Sequence, residues 1–367
     1  MSSYSLYLPN YTVGADAYKE VPHVCRRFCK TAVVIGGKTA MSKAKEALLN
    51  GLKGSNLTIS DFIWFGGDAT YENVEALQNN PTVQKADMIF AVGGGRVCDT
   101  CKTLADKMDK ALFTFPTIAS NCAPVTAICV MYKKDGSLSD YYFIPGPALH
   151  TFINTKIIAE APDHFLWAGI GDALSKEYEV EFATRNMELK HTPLMGASLA
   201  SACARPLYSY SKKALEDCKK NTASYELEQV ALDIIISTGL VSNFATGMPE
   251  YYYNSNIAHC VYNGSTKIPA CAEHHTHGEV VSYGVMCLAA YDNNEALLEK
   301  VCKFNMSLGL PVCLKDIDLT EKDVQSLADS VLTLTDWKAI AHKDGDQEKF
   351  AKAVLAADKF GQKMKNK

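Results

Sequence analysis

Short apolar runs alternate with stretches of helical spacing over roughly the first 155 residues of the chain. Alternation of strands and helices is typical of a parallel sheet with helices on both faces, so we expect an α/β domain with a Rossmann-like sheet. Such sheets bind ligands at the carboxyl ends of their strands. The predicted strands are 31–37, 62–65, 87–92 and 111–116, and the predicted helices are 40–52, 96–108 and one that begins at 71–77.

The pattern changes after about residue 130. Residues 131–143 contain an Asp-Gly pair between two β-type runs, which predicts a hairpin. From Pro162 onward the spacing is almost wholly helical, so we place one boundary between an α/β domain of residues 1–160 and an all-α domain of residues 161–367. The tail at 363–367 is typical of a frayed, solvated end. Long helices are predicted near 171–187, 195–219, 224–248, 279–309 and 320–335.

Composition limits the classes of function that the chain can have. Its 367 residues, 47% hydrophobic and 21% charged, suit two soluble globular domains, and the net charge of −4 gives no electrostatic argument for binding nucleic acid or an anionic membrane. No apolar stretch reaches the roughly 18–20 residues that span a bilayer. The N-terminus lacks the basic and apolar regions of a secretion signal. Thirteen cysteines, irregularly spaced, favour reduced thiols, so we expect a cytoplasmic protein.

Three adjacent glycines, Gly93, Gly94 and Gly95, end a predicted strand and open a predicted helix. Glycine permits positive φ and a close approach of the backbone to a ligand. A helix N-terminus directs N–H groups and the positive end of its dipole at an anion, usually a phosphate. The spacing matches neither the Rossmann fingerprint nor the P-loop. On these residues alone, a phosphate site and a glycine-rich loop without a ligand both stay open.

A second set of candidate residues lies in the helical half. Asp172 follows a glycine-rich helix entry, and His259, His274, His275 and His277 place four of the nine histidines within nineteen residues. Imidazole is the commonest protein ligand for divalent transition metals. A catalytic zinc site takes three protein ligands and keeps one position open, and two histidines with one carboxylate also suit Fe(II). Taken singly, the acid fits a first helical turn and each histidine a hydrogen-bonded residue, so only the cluster indicates a metal.

Two further patterns carry less information. The polar loop at 115–126 contains small hydroxyl residues that suit either a cofactor contact or local turn bonding. Cys98 and Cys101 form a C-x-x-C pair, but they lie in a predicted helix without a second pair. We therefore interpret them as two small helix residues and not as a redox or metal motif.

Taken in this order, the motifs resemble those of the iron-containing, group III alcohol dehydrogenase superfamily. Within it, the chain looks most like the glycerol dehydrogenase branch and its hydroxycarboxylate dehydrogenase relatives. The resemblance extends over nearly the whole chain, and its motifs are specific only together. They are 93–96 with Asp99, Thr100 and Lys102, then 116–120, 154–162, 168–172, and His259 with 274–279.

The resemblance implies a dehydroquinate synthase-like fold, in which an N-terminal dinucleotide-binding domain and a C-terminal metal- and substrate-binding domain enclose a cleft. NAD or NADP is the implied cofactor, with its phosphates at the glycine triplet and further contacts from the loop after the next strand. The implied cofactor-binding residues are Gly37, Lys38, Gly93, Gly94, Gly95, Asp99, Thr117 and Ser120.

The resemblance also implies one divalent metal, zinc in this branch and iron in others, held by Asp172, His259 and His277. The metal would bind the substrate oxygen and lower the pKa of the alcohol, so that an alkoxide forms near neutral pH and passes hydride to the nicotinamide. The implied function is that of a glycerol dehydrogenase-like, metal-dependent NAD(P)-linked oxidoreductase. It would interconvert a small alcohol, polyol or 2-hydroxy acid and its carbonyl compound.

Three departures from the family pattern refine this expectation. Cys122 stands where glycerol dehydrogenases usually place an Asp near the substrate, which favours α-hydroxy or α-keto acids because that Asp would repel a carboxylate. Gly37 and Lys38 stand where NAD-preferring members usually have an acid for the ribose 2′-OH, so NADPH is compatible with the chain. Asn263 replaces a histidine of many iron-type members, and His275, near the substrate, is the substitute candidate for its proton relay.

Two other functions are compatible with this fold. A dehydroquinate synthase-like lyase would need basic residues grouped for a phosphorylated substrate, and the helical half offers Lys176, Arg185 and Lys190 without a dense cluster. A catalytically silent nucleotide-binding protein would not need an intact set of metal ligands. We therefore expect an enzyme that acts on a small molecule, without nucleic-acid or membrane partners. By family analogy we expect a homo-oligomer.

Overall fold

A six-stranded parallel sheet organises the first half of the chain in the computed structural model, which describes residues 4–28, 30–340 and 345–367. The first eight strands are β1 (Tyr11–Val13), β2 (Thr31–Gly36), β3 (Thr58–Trp64), β4 (Met88–Gly93), β5 (Ala111–Pro116), β6 (Ile128–Tyr132), β7 (Leu138–Phe143) and β8 (His150–Ile153). Six of them form the sheet in the order β1-β8-β5-β4-β2-β3, with every pairing parallel. β6 and β7 form an antiparallel hairpin. The predicted parallel sheet and hairpin are therefore confirmed.

Helices cover both faces of this sheet. The first six are α1 (Val21–Cys25), α2 (Lys38–Gly51), α3 (Tyr71–Gln78), α4 (Pro81–Lys85), α5 (Gly95–Met108) and α6 (Thr155–Ala159). Side chains alternate along each strand, so in β4 Phe90 and Val92 belong to one apolar cluster and Ile89 and Ala91 to the other. Residues of α2 complete the first cluster, and residues of α3 and α5 complete the second. The predicted α/β layering is confirmed.

The register of the sheet brings three strand ends together. Gly36 pairs with both Trp64 and Val92, and Gly93 pairs with Pro116. The loops that leave β2, β4 and β5 therefore begin at one edge of the sheet. This is the carboxyl edge, at which open parallel sheets bind their ligands.

The remainder of the chain is largely helical, as predicted, with one short ribbon of β9 (Thr246–Gly247) and β10 (Tyr251–Tyr252). A π-helical turn, Asp233–Ser237, joins α10 to α11, and short 3-10 turns precede α16. The helices are α7 (Asp163–Thr184), α8 (His191–Ala200), α9 (Ala204–Cys218), α10 (Tyr225–Leu232), α11 (Thr238–Ala245), α12 (Ile257–Ser265), α13 (Pro269–Ala272), α14 (His277–Tyr291), α15 (Glu295–Leu308), α16 (Val324–Val331), α17 (Thr335–Lys338) and α18 (Gln347–Lys365).

Two predicted long helices are each divided, and the tail predicted to be frayed is helical, although most of its residues are exposed as predicted. The segment at 195–219 breaks between α8 and α9, and the segment at 279–309 breaks at Asn293, which adopts a left-handed backbone with φ of 53° before the N-cap Asn294. Asparagine tolerates the left-handed conformation and is a favoured N-cap. The predicted helix is therefore interrupted at Asn293, and Asn294 caps the start of the next one. The tail is helical through Lys365, whose Nζ lies 2.5 Å from Asp316 Oδ1.

The chain divides into two compact units. The first comprises Met1–Leu166 and Ala214–Asn243, and the second comprises Trp167–Lys213 and Phe244–Lys367. The single boundary predicted near residue 160 does not anticipate that a later helical segment joins the first unit. The assignment of functions to residues 1–160 and 161–367 stays a prediction.

Glycines allow three helices of the second unit to approach one another closely. A Cβ added to Gly278 in α14 would lie 1.9 Å from the carbonyl oxygen of Ala168 in α7, and one added to Gly171 would lie 2.4 Å from the carbonyl oxygen of Gly278. A Cβ on Gly284 would lie 2.4 Å from the carbonyl oxygen of Ala258 in α12. Because no side chain separates these backbones at the glycines, α14 packs closely against both α7 and α12.

Most of the described cysteines are buried in the interior of the fold. Twelve of the thirteen cysteines are described by the structure, and Cys29 lies outside the described residues. Eleven of those twelve are buried, and Cys122 is partly exposed. None of the described helices is both long enough and apolar enough to cross a membrane.

We expect Gly278→Ala to lower the free energy of unfolding by about 1–3 kcal/mol, the usual cost of overpacking a well-packed interior. The added methyl group would overlap the Ala168 carbonyl, so α7 and α14 would have to separate. Urea unfolding followed by circular dichroism measures the change. Gly345→Ala is the matched control, because its methyl would meet Trp337 at an ordinary 3.5 Å. Equal stability of the two variants would contradict the prediction.

Candidate metal site and glycine loop

The glycine triplet joins β4 to α5 at the carboxyl edge of the sheet. All residues of β4 are buried, and Gly94 is the N-cap of α5 in an extended backbone conformation. No side chain caps this helix, and the first N–H groups of any helix lack intrahelical partners. The local structure therefore has the donor arrangement of an anion site at a helix N-terminus.

The loop after β5 lies directly on the triplet. A Cβ added to Gly94 would lie 2.6 Å from Ile118 Cδ1, and one added to Gly95 would lie 2.6 Å from Asn121 Nδ2. The Thr117 N–H donates to the Gly93 carbonyl at 3.3 Å. A side chain at either position would therefore force the Ile118 or the Asn121 side chain to move.

The structure brings several predicted cofactor residues to this edge. Thr117 is buried beside Gly93, and Ser120 is half-buried in the same loop. Gly37 caps α2 without a side chain, and the exposed Lys38 begins that helix, with its Nζ 4.9 Å from the centre of the Trp64 ring. Their contacts with a cofactor stay predictions.

Asp99 differs from the expectation that it faces a cofactor. It lies one turn into α5, is 4% exposed, and places Oδ1 2.9 Å from the buried ammonium of Lys102. Arg96 follows the triplet directly and is exposed. Its Nη1 pairs with Asp68 at 2.7 Å, and its guanidinium lies 4.9 Å from the Tyr132 ring centre.

Asp172, His259 and His277 come together in the second unit, as predicted for metal ligands. One potential ligand atom from each lies within 4.8 Å of the others. His277 Nε2 is 2.9 Å and His259 Nε2 is 3.6 Å from Asp172 Oδ1. Among the residues that the structure describes, no other three His, Cys, Asp or Glu side chains bring their ligand atoms this close.

Helix packing explains why these three side chains meet. Asp172 follows Gly171 in α7, and His277 precedes Gly278 as the first residue of α14, so the closest contact of the two helices brings both side chains together. A capping box formed by Thr276 and Glu279 starts α14 at this residue. His259 lies in the first turn of α12, which packs on α14.

Glu179 is a carboxylate of the candidate site that the sequence analysis missed. It is fully buried, and its Oε2 lies 2.7 Å from His259 Nδ1. Its other oxygen accepts the N–H groups of Asn256 and His259 at 2.8 and 3.1 Å, which also caps α12. Carboxylates that hold the second nitrogen of a metal-bound histidine fix its orientation. The sequence spacing could have indicated this residue, because Asp172 and Glu179 are seven residues apart and therefore lie on one face of the same helix.

The charges of this group stabilise one another. Burial opposes ionisation of Asp172, but His277 and His259 outweigh it and hold its pKa below the usual range. Burial opposes a charge on His259, but Glu179 and Asp172 outweigh it and raise its pKa to about 10. Without a metal, the imidazolium of His259 is therefore held between two carboxylates at neutral pH.

The donor set fits a divalent cation. Tetrahedral Zn²⁺ with bonds of roughly 2.0–2.1 Å places its ligand atoms about 3.3 Å apart, which is close to the 2.9 and 3.6 Å separations from Asp172. Three protein ligands leave one position for a substrate oxygen or water. A carboxylate with two imidazoles also suits Fe(II), so these three side chains are compatible with either zinc or iron.

The other predicted residues have different surroundings. His275 engages Glu279 through Nδ1 at 2.9 Å and Asp318 through Nε2 at 3.1 Å, so both of its ring nitrogens face carboxylates. Asn263 donates to Asp336 at 3.1 Å. A proton relay through either residue, and the position of His275 near a substrate, stay predictions.

Of the three basic residues considered for a lyase, two are paired with other residues of the chain and one is exposed. Lys176 is buried and donates to Asn254, and Arg185 pairs with Asp292 at 2.7 Å. Lys190 is exposed at the N-cap of α8. These contacts give no support to a grouped site for a phosphorylated substrate.

Comparison with known proteins agrees with the fold and with these motifs. The sequence model of the family "Iron-containing alcohol dehydrogenase" matches residues 9–149. A glycerol dehydrogenase from Escherichia coli is 28% identical over 96% of both chains, and hydroxycarboxylate dehydrogenase A from Escherichia coli is 30% identical over 78% of this chain and 77% of its own. The crystal structure of glycerol dehydrogenase from Schizosaccharomyces pombe has a TM-score of 0.87 at 24% identity, covering 99% of this chain and 92% of that one.

These similarities define the class of the protein as an oxidoreductase of the alcohol dehydrogenase type. The chain belongs to the iron-containing alcohol dehydrogenase family. The resemblance inferred from the motifs is confirmed, and so is the predicted enzyme class.

We expect Glu179→Gln to weaken metal binding about 10- to 100-fold, the usual effect of removing a partner that orients a ligand. The amide keeps the size of the side chain and can still accept from the α12 backbone, but it loses the charge that faces His259. Competition with a chromophoric chelator measures the dissociation constant. Glu177→Gln is the matched control on the same helix, because Glu177 accepts from Ala204 and not from His259. Equal affinities in the two variants would refute this role.

Metal binding should release about one proton at pH 7.5. The pKa of His259 is raised from about 6.5 to about 10, so below pH 10 the metal must displace that proton. Apparent affinity should therefore rise as the pH is raised from 6 to 8, by roughly tenfold per pH unit. Calorimetric titration with Zn²⁺ in two buffers of different ionisation enthalpy counts the protons. A proton count of zero would contradict the assignment.

Proposed function

We propose that the chain is a metal-dependent NAD(P)-linked dehydrogenase that interconverts a small 2-hydroxy acid, alcohol or polyol and its carbonyl compound. The observation that carries the proposal is the convergence of Asp172, His259 and His277 within one helical unit, with Glu179 behind His259. Hydroxycarboxylate dehydrogenase A and glycerol dehydrogenase, which the chain resembles, support the substrate class.

The three ligands supply the charge and geometry that a cation site needs. A divalent cation bound there would polarise the substrate oxygen and lower the pKa of an alcohol without a separate general base. Asp172 carries the negative charge of the site, and its low pKa keeps it ionised at any physiological pH. His259 presents Nε2 to the site because Glu179 holds Nδ1. His277 is fixed by the start of α14 and by the Tyr262 ring, whose centre is 4.2 Å away.

The glycine loop is the proposed site of the dinucleotide phosphates. A nicotinamide cofactor would accept or donate the hydride, so the protein needs only to hold and orient it. The N–H groups that begin α5 would face the pyrophosphate, and the triplet leaves room for it to approach. Thr117 and Ser120 would line the cofactor. A sulfoacetaldehyde reductase of similar fold, with a TM-score of 0.77, has a structure in complex with NAD⁺.

Three finer features complete the proposal. Cys122 in place of an acid favours a substrate that carries a carboxylate, because the negative charge of that acid, which would repel the substrate, is missing. Gly37 and Lys38 leave room and a positive charge for a 2′-phosphate, which supports use of NADPH. Zinc is the proposed metal and a homo-oligomer the proposed assembly, both by family analogy.

Replacing a ligand tests the metal assignment directly. We expect Asp172→Ala and His277→Ala to lose bound metal and to reduce turnover at least about 10²-fold, since a metal contributes several kcal/mol to charge stabilisation. The assay uses glycerol, diols and 2-oxoacids with NAD(H) and NADP(H), after chelation and readdition of Zn²⁺ or Fe²⁺. His274→Ala is the control, because its exposed side chain lies outside the ligand set. Full activity of a metal-free variant that carries both Asp172→Ala and His277→Ala would refute the proposal.

A further inference from the structure

One face of α5 is covered by the loop that carries the predicted cofactor residues. Gly95, Asp99 and Lys102 lie at positions i, i+4 and i+7, so they share this face. Asn121 contacts the face at Gly95, and the chain from Thr126 onward contacts it two turns farther along, at Lys102. The first contact is at the glycine triplet itself. The second is deep in the first unit.

Lys102 holds the far end of that loop through contacts of its ammonium group with four oxygen atoms. Its side chain is 0% exposed, and Nζ lies 2.9 Å from Asp99 Oδ1. Nζ also lies 3.1 Å from Thr126 Oγ1, 3.2 Å from the Thr126 carbonyl oxygen and 2.5 Å from that of Ile128. An ammonium has three protons, and the three oxygens of Thr126 and Ile128 accept them without water, while the Asp99 carboxylate adds a charge contact without a hydrogen bond to Oδ1.

Two further buried side chains fix the segment between these contacts. Thr114 donates to the Pro124 carbonyl at 2.9 Å. Asn243 donates to the Val125 carbonyl and accepts the Ala127 N–H, both at 2.9 Å. The backbone from 124 to 128 therefore makes hydrogen bonds on several sides, and the loop residues before it have little freedom to leave the triplet.

A buried ion pair is a costly way to hold a loop. Replacing such a pair with apolar residues of similar size is often neutral or stabilising, so stability alone does not account for it. The pair does provide direction, because an ammonium held by one carboxylate and three oxygens has a single good position. That position determines where Thr126 and Ile128 lie relative to the first turn of α5.

We propose that Asp99 and Lys102 are positioning residues that set the loop at 117–128 against the glycine triplet, and thereby the affinity for the dinucleotide, without touching it. The inference rests on the proposed function, because it takes the triplet as the phosphate site. It reassigns Asp99 from a cofactor contact to a support. The pair acts on the first unit and leaves the Asp172 ligand set, in the second unit, unchanged.

The test compares two lysines of α5 and the loop that follows. We measure the dissociation constants of NADH and NADPH by fluorescence titration, and of Zn²⁺ by chelator competition, for Lys102→Met and for Lys110→Met. Lys110 makes the same kind of contact, donating to the carbonyls of Gln84 and Ala86, but those residues precede β4, at the opposite edge of the sheet. Misplacement of a binding group by about 1 Å can cost 10²-fold.

We expect Lys102→Met to raise the preferred dinucleotide's dissociation constant at least about tenfold with little change for Zn²⁺, and Lys110→Met to change both less than about twofold. Because removing a buried charge endangers folding, Thr126→Val and Thr126→Ser provide a milder pair. Valine removes one acceptor of the ammonium and serine keeps it, so valine should weaken dinucleotide binding and serine should restore it.

The possible results distinguish a failure of this inference from a failure of the proposed function. Dinucleotide binding by the wild type that is unchanged in Lys102→Met and in Thr126→Val would overturn the inference alone. Equal losses of dinucleotide and Zn²⁺ affinity in Lys102→Met would also overturn it, because they would indicate general unfolding. A wild-type protein that binds neither NADH nor NADPH would overturn the proposed function and the inference with it.

Discussion

The backbone contact between α7 and α14 is the constraint on which the candidate metal site depends. Gly171 and Gly278 let these helices meet without intervening side chains. Asp172 and His277 are the adjacent residues, so their separation follows from the helix packing and not from side-chain choice. The Gly284 contact with α12 extends the same arrangement to His259. Close packing of three helices that are distant in sequence thus places the three candidate metal ligands together.

Buried charge has a similar role in both units. Glu179 in the second unit and Lys102 in the first are each fully buried, and each joins a charged partner to backbone groups of another segment. A charge in such a position must have its hydrogen bonds satisfied, which makes alternative arrangements costly. In one case the group so held is the imidazole of His259, and in the other it is the loop that covers the glycine triplet.

Sequence patterns predicted the elements with strong periodicity and the residues with distinctive chemistry. The parallel sheet and the hairpin were inferred from the pattern of the chain, and Asp172, His259 and His277 were proposed as metal ligands from the family resemblance. β1 and β8 were missed because three and four residues are too few to show a period. Glu179 was missed because its partner, His259, is 80 residues away. The burial of Asp99 depends on a loop whose course no local pattern reveals.

The distribution of the thiols has a practical consequence for chemical labelling. Burial raises the pKa of Cys25, Cys98 and Cys129 to about 12, so these sulfurs are neither accessible nor nucleophilic near neutral pH. Among the described cysteines only Cys122 is partly exposed, and it lies in the loop that covers the glycine triplet. A maleimide dye would therefore attach there first among the described thiols. The fold thus supplies its own attachment point for an optical reporter of that loop.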